Sequence, residues 1–122
     1  MYNLFLDDEI FPWDVTWVEI PDAPWNIVRS HKEFCEFIVH FGLPKNISFD
    51  HDLGQEHYIA CAEGREDYGD TPTGLDCAKW LVKYCETRHR SLPNITIHSL
   101  NPVGRENIRM YFVNARKHIK CL

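Results

Sequence analysis

The stretch "NISFDHDLG" (Asn46–Gly54) joins a short apolar run to three consecutive ionisable side chains. The run from about Ile47 to Asp50 has the length and composition of a buried β-strand, and the glycine beyond it marks a turn. A structural role for Asp50, His51 and Asp52 would require each group to find a buried partner. The stretch therefore predicts a buried strand whose end carries functional side chains.

Three further strands and three helices are predicted around this stretch. The other strands are predicted from apolar runs at Tyr2–Leu6, Trp25–Ser30 and Pro93–His98. Helices are predicted where apolar residues recur at helical spacing behind a capping residue, at Ser30, Thr73 and Asn101. Alternating strands and helices form parallel sheets with helices on their faces. The pattern predicts an α/β fold with a mainly parallel sheet of about four strands and helices on both faces.

Length and charge limit the function classes. A chain of 122 residues is predicted to form one domain over residues 1–122, because single cores typically occupy about 100–150 residues. A net charge of −5 argues against an extended nucleic-acid surface but allows a small anionic ligand or a single RNA end. No apolar run is long enough for a membrane span, and the N-terminus lacks signal-peptide features, so we expect a cytoplasmic protein. The sequence indicates no oligomeric state.

The five cysteines contain no C-x-x-C pair, which predicts reduced thiols rather than a disulfide framework or a zinc ribbon. We expect Cys35, Cys77 and Cys85 to be buried on helix faces.

The mixed-polarity connection Gln55–Thr71 is predicted as a long loop of the kind that is usually functional or mobile.

Acidic side chains follow the first and third predicted strands: Asp7, Asp8, Asp50 and Asp52. The carboxyl ends of parallel strands meet at one edge, where ligands bind in open α/β sheets. Carboxylates gathered there repel one another unless a cation neutralises them, so the pattern predicts a divalent metal. An all-oxygen set favours Mg²⁺ or Mn²⁺, whereas coordination by His51 or His98 would favour Mn²⁺, Fe²⁺ or Zn²⁺.

A phosphate site is predicted beside the metal. The helix N-termini at Thr73 and Asn101 would direct free amides and positive dipole ends at the same edge. The missing side chain of Gly104 would let a phosphate approach the backbone. Arg105 and Arg29 would supply guanidinium contacts to its oxygens.

Two histidines and a serine complete the predicted site. His98 and Ser99 end the fourth strand, and Ser99 would help to position the phosphate. His51 or His98 would act as general base for water or as acid for the leaving oxygen, in a catalytic set with Asp50. The residues do not decide which histidine takes which role. Three tryptophans in the first connection are predicted to cover the sheet edge, with a nucleobase platform as the alternative: Trp13, Trp17 and Trp25.

Four sequence blocks occur in the order of a known family: "LFLDDE" with a following Pro12, "ISFDHDLG", "TGLDCAKWL", and "IHSLNPVG" with Asn107 and Ile108. Together they resemble the cyclic-phosphate-processing receiver-like domains, and the match runs from Leu4 to Ile108. The resemblance implies a reduced, flavodoxin-like, receiver-type fold with three layers. It also implies a metal-dependent role in processing cyclic or terminal phosphates of nucleotides or RNA ends.

Two-component receivers, which the family resembles more distantly, carry an acidic pair, a phosphoacceptor aspartate, a hydroxyl residue and a lysine. The first four positions match Asp7, Asp8, Asp50 and Ser99. No fifth strand with a matching lysine is predicted after the last helix, which argues against a phosphorelay receiver. Ile10 stands where the family often has arginine, so this position offers no such phosphate contact.

Different classes of function remain open. The first is a metal-dependent phosphoesterase that acts on a small phosphorylated or cyclic-phosphate ligand or an RNA end. The alternative is a receiver-derived, non-catalytic metal- or phosphate-binding module that acts through a protein partner. A structural protein with a decayed site would bind no metal at all. The sequence does not decide whether the chain is an enzyme.

Overall fold

The computed structural model describes residues 1–53 and 72–119. These residues form four strands and three α-helices, which alternate from β2 onward: β1 (Asn3–Leu6), β2 (Asn26–Val28), α1 (His31–Phe41), β3 (Asn46–Phe49), α2 (Gly74–Arg88), β4 (Asn94–Ile97) and α3 (Pro102–His118). A single turn of 3-10 helix, Pro12–Asp14, lies in the connection between β1 and β2. The predicted loop Gln55–Thr71 falls outside the described residues.

The four strands form one parallel sheet in the order β2-β1-β3-β4. The strand order reverses at β1, whose two neighbours are β2 and β3. Ligands of open α/β sheets bind at such a reversal, outside the carboxyl ends of the strands. Because β1 and β3 are adjacent and in register, the acidic residues that follow them must lie close together.

The predicted capping residues begin the helices. Ser30 precedes α1, and its side chain accepts a hydrogen bond from the Glu33 amide at 3.1 Å. Asn101 precedes α3, where its Oδ1 accepts a hydrogen bond from the Gly104 amide at 3.0 Å. Gly42 ends α1 with a positive φ of 86°, a conformation that glycine adopts without a Cβ penalty.

One face of the sheet carries the hydrophobic core. Leu4, Leu6, Ile47 and Phe49 are completely buried there. The helix residues that pack in the same cluster come from all three α-helices: Phe34, Ile38, Ala78, Leu81, Ile108 and Phe112. Helices α1, α2 and α3 pack side by side as one layer over this face.

The opposite face is covered by the β1–β2 connection. Phe5 points to this face, where it stacks on the His98 ring at a centroid distance of 4.4 Å and meets Trp25 edge-on. The indole N–H of Trp17 donates to the His98 carbonyl at 2.7 Å, and the Asn3 side chain donates to the Pro24 carbonyl. The aromatic connection takes the place of a helix here.

The α/β, receiver-like fold class and the parallel four-strand sheet are confirmed. The arrangement differs from the expectation of helices on both faces, because the described α-helices all lie on one face. Cys77 and Cys85 are buried as expected, while Cys35 is half-buried. Within residues 1–53 and 72–119, no helix combines the length and the apolar character that crossing a bilayer requires.

Candidate functional site

The polar residues that follow β1, β3 and β4 surround a small cavity of about 170 Å³. Five carboxylates line it: Asp7, Asp8, Glu9, Asp50 and Asp52. The remaining wall is formed by Ile10, Trp17, His98, Ser99, Leu100 and Asn101. Among the described residues, this wall contains no lysine or arginine. The cavity is therefore strongly acidic and suited to a cation.

Asp7 is buried directly after β1, with 5% of its surface exposed. Its Oδ1 accepts hydrogen bonds from the amides of Glu9 at 2.9 Å and Ile10 at 3.1 Å. Its Oδ2 lies 2.9 Å from His98 Nε2. Burial alone would raise the pKa of Asp7, but these hydrogen bonds together outweigh burial and hold that pKa below its ordinary value.

His98 is enclosed on all sides after β4. Only 1% of its surface is exposed, and its ring lies flat against Phe5. Its Nδ1 lies 2.7 Å from the hydroxyl of Ser48, a completely buried residue of β3. With Nε2 facing Asp7, both ring nitrogens are engaged by protein groups. The ring thus links a strand hydroxyl to a cavity carboxylate.

Asp50, directly after β3, has a very different environment. Burial together with the negative charge of Asp7 raises its pKa to about 8, and the charges of Asp8 and Asp52 act in the same direction. The hydrogen bond from the His51 amide opposes this shift but does not cancel it. A bound cation would relieve this repulsion on Asp50.

Asp52 is held in the cavity wall by two neighbours. Its Oδ1 lies 2.9 Å from His51 Nδ1, and the Asn101 side-chain amide donates to its Oδ2 at 3.2 Å. The His51 ring lies against Gly104 in the first turn of α3, where a Cβ would fall 2.3 Å from the ring. His51 therefore supports Asp52 from behind and is not part of the wall.

Ser99 and Asn101 complete the wall after β4. Ser99 is buried, and its hydroxyl oxygen accepts a hydrogen bond from the Asn101 amide at 3.2 Å. Both residues line the cavity, and their role in positioning a phosphate stays a prediction. Asn101 has two roles, because it caps α3 through Oδ1 and holds Asp52 through Nδ2.

The other predicted phosphate contacts lie elsewhere. The amide of Gly74, next to Thr73, donates to the His51 carbonyl at 2.7 Å, and the Thr73 amide donates to Asp76. Gly104 makes room for the His51 ring, and its approach to a phosphate stays a prediction. Arg105 is exposed and is not part of the cavity wall.

Arg29 also differs from its predicted role. Its guanidinium donates to the backbone carbonyls of Asp7 at 3.0 Å and Ile10 at 2.7 Å, and it lies over the Phe11 ring. These contacts fix the start of the β1–β2 connection. Arg29 therefore shapes one side of the cavity from outside.

Three residues offer metal-ligand atoms close together. One atom from each of Asp7, Asp50 and His98 lies within 4.8 Å of the others, so this group could hold a metal ion. Asp8 and Asp52, the other predicted ligands, line the same cavity.

A larger cavity of about 580 Å³ is lined in part by Lys45, Arg88 and Arg90, with no acidic or histidine side chain in its described wall.

Sequence reasoning missed three contributors: Ser48, Leu100 and Glu9, the fifth carboxylate of the cavity wall. Ser48 was treated only as part of an apolar strand, although a lone polar residue inside such a strand signals a buried hydrogen-bond partner. Leu100 is 69% exposed at the rim of the cavity, and no sequence signal marked it. Trp17 was predicted to cover the sheet edge; it lies against the second face of the sheet and also lines the cavity.

A parallel β2-β1-β3-β4 sheet with acidic residues after β1 and β3 and a hydroxyl after β4 defines a receiver-like α/β domain. A family model described as the cyclic-phosphate processing Receiver domain matches residues 2–114. The chain therefore belongs to this family, whose name suggests a role in cyclic-phosphate processing. Separate comparisons with curated proteins and with solved structures found no significant match.

Proposed function

We propose that this domain is a metal-dependent phosphoesterase that hydrolyses cyclic or terminal phosphates of a small nucleotide or an RNA end. The observation that carries the proposal is the convergence of five carboxylates on one small cavity at the strand ends of a cyclic-phosphate processing receiver domain. The proposed compartment is the cytoplasm, and no membrane partner or extended nucleic-acid surface is invoked.

The donor set fits a hard divalent cation. Carboxylate oxygens are the ligands that Mg²⁺ and Mn²⁺ prefer, and Asp7, Asp8, Asp50 and Asp52 would hold the ion. Ligation by an imidazole would shift the preference towards Mn²⁺, Fe²⁺ or Zn²⁺. When bound, the cation would polarise the phosphoryl group and neutralise charge that develops during hydrolysis. A phosphate anion could enter this acidic cavity only together with such a cation, because like charges repel.

The protein groups of the wall have separate roles in this proposal. Asp52 would bind the ion through one carboxylate oxygen and take the proton of the attacking water on the other, while His51 and Asn101 hold it in place. Ser99 and Asn101 would orient the phosphate oxygens beside it. Trp17 and Leu100 give the rim the apolar surface that a nucleoside would contact.

The experiment is a ³¹P NMR assay of 2′,3′-cyclic nucleotides and of RNA with a cyclic-phosphate end. We expect turnover with Mg²⁺ or Mn²⁺, none with EDTA, and a loss of at least about a hundredfold in Asp50→Asn. Asp22→Asn removes an exposed carboxylate outside the cavity and should retain full activity. Full activity of Asp50→Asn would contradict the proposal.

A second candidate function is a metal- or phosphate-binding module that acts through a protein partner without turnover. It is favoured by the engagement of His98 with Ser48 and Asp7 and by the position of His51 behind Asp52, which leave both imidazoles satisfied within the protein. Metal binding without hydrolysis of any cyclic phosphate would favour this module. A stable mass gain on Asp50 after incubation with acetyl phosphate would support its receiver character.

A further inference from the structure

The contacts of His98 give this residue a more definite role than either of those predicted from sequence. Its ring nitrogens face Ser48 and Asp7, its ring plane is stacked on Phe5, and its backbone carbonyl accepts the Trp17 indole N–H. A ring held on every side cannot swing into the cavity. The ring can therefore influence the cavity only through the side chains that it contacts, above all Asp7.

The hydroxyl of Ser48 determines which nitrogen carries the proton. Ser48 is completely buried, and its Oγ has no hydrogen-bond partner other than His98 Nδ1 among the described residues. A buried hydroxyl proton needs an acceptor, so Ser48 donates and Nδ1 accepts. The proton of the neutral imidazole then lies on Nε2, from which it is donated to Asp7 Oδ2 at 2.9 Å.

The hydrogen bond from His98 leaves only part of the acceptor capacity of the Asp7 carboxylate for a cation. A carboxylate offers about four acceptor positions. Two are used by the amides of Glu9 and Ile10 and one by His98. About one position therefore remains, which suits a ligand that binds a metal through a single oxygen.

We propose that His98 is a positioning residue that aims the Asp7 carboxylate into the cavity, with Ser48 fixing its tautomer, and that His98 is neither a metal ligand nor a proton donor to the substrate. A pair of ligands on one ion also lie about 3 Å apart at usual metal–ligand lengths near 2.1 Å. The Nε2–Oδ2 distance thus fits shared coordination as well, and the position of the proton separates the two arrangements.

Long-range ¹H–¹⁵N NMR of the histidine rings tests this directly, with the His98 signals assigned by their loss in His98→Gln. We expect the neutral Nε2–H tautomer in metal-free protein and in Mg²⁺-saturated protein. A proton on Nδ1 in the metal-free protein would overturn the inference. A change to Nδ1–H with coordinated Nε2 on addition of metal would also overturn it.

Metal affinity supplies a second readout and rests on the proposed function. Removal of a group that orients a metal ligand typically weakens binding by about 10–100-fold. We expect a loss of at least about tenfold in Ser48→Ala, although Ser48 is not part of the cavity wall. Thr96→Val is the matched control. Thr96 of β4 is the register partner of Ser48 on β3, and its hydroxyl makes no contact with His98 in the described hydrogen bonds. Unchanged affinity in Ser48→Ala would contradict the inference.

Two substitutions of His98 provide a rescue test. Glutamine can reach the position of Nε2 and keep a donor for Asp7, whereas asparagine matches only the Nδ1 side. We expect His98→Gln to bind Mg²⁺ more tightly than His98→Asn, and equal loss in both would count against positioning. If wild-type protein binds no metal while His98 shows the Nε2–H tautomer, the proposed function fails and the tautomer assignment stands.

Discussion

Asp7 and Asp50 show how strongly one cavity can separate two chemically identical side chains. Hydrogen bonds from His98 and from two backbone amides keep the pKa of Asp7 low despite its burial. Burial and the neighbouring charge of Asp7 raise the pKa of Asp50 to about 8. Asp7 is thus the carboxylate that the fold has already stabilised, and Asp50 is the one that remains to be neutralised.

This difference predicts how the stability of metal-free protein depends on pH. The pKa of Asp50 in the folded state, about 8, lies above its ordinary value of 3.8, so the folded state binds more protons between these values. Stability contributed by protonated Asp50 is therefore present at low pH and lost as pH rises through this window. An asparagine side chain cannot ionise, so the Asp50→Asn variant should not lose this stability as the pH rises. In EDTA, the thermal midpoint of the variant should therefore exceed that of wild type by an amount that grows towards pH 8.

Each 1 kcal/mol of relieved repulsion would raise the midpoint by about 4 °C in a domain of this size. Thermal unfolding across the pH range in EDTA measures the difference, and Asp22→Asn controls for the loss of one exposed negative charge. A midpoint of Asp50→Asn that stays at or below the wild-type value at pH 8 would show that Asp50 is not under electrostatic strain.

At the scale of elements, glycines allow two helices to approach the end of β3. Gly74 begins α2, and an added Cβ there would lie 1.8 Å from the Asp50 carbonyl oxygen. Gly104, in the first turn of α3, faces the ring of His51. The two helices thus enclose the "DHD" segment from both sides, one against its backbone and one against a side chain.

Gly74→Ala should be strongly destabilising, because the atom that a Cβ would meet belongs to the backbone and cannot rotate away. Forced overpacking of this kind costs about 1–3 kcal/mol or more. Denaturant unfolding of the variant provides the measurement. Stability equal to wild type would mean that α2 does not dock on β3 in this way.

Gly104→Ala should act differently, because its added Cβ would meet the His51 ring, which can turn aside. Turning the ring breaks the contact between His51 Nδ1 and Asp52. We expect a smaller loss of stability than in Gly74→Ala, together with weaker metal binding and an altered His51 NMR signal. An unchanged His51 signal would contradict the contact.

The sequence predicted elements better than the contacts between them. Caps such as Ser30 and Asn101 are local signals, and the structure has helices beginning where they indicated. The contact of Gly104 with His51 and the hydrogen bond between Ser48 and His98 join residues about fifty positions apart. Such contacts depend on the register of neighbouring strands, which no local pattern specifies.

At the scale of the whole molecule, the strand order puts all the acidic segments on one edge. Alternation of strands and helices was enough to predict a parallel sheet and thereby the meeting of Asp7 and Asp50. The covering of the second face was less predictable, because Trp17 and Trp25, which form it, lie outside regular secondary structure. Aromatic residues in a connection indicate burial but not the surface that they bury.

Within residues 1–53 and 72–119, β4 is the last strand and lies at one edge of the sheet. The described wall of the acidic cavity contains carboxylates together with His98, Ser99 and Asn101. This composition supports the proposal of a bound cation.

The most direct test of this account is calorimetric titration of metal-free protein with Mn²⁺ in buffers of different ionisation enthalpy. A pKa of about 8 for Asp50 predicts saturable binding that releases up to about one proton per ion at pH 7 and progressively less as the pH rises above 8. Asp50→Asn should lose most of the binding and the proton release. An absence of binding, or undiminished binding by Asp50→Asn, would contradict a metal centre at the acidic edge.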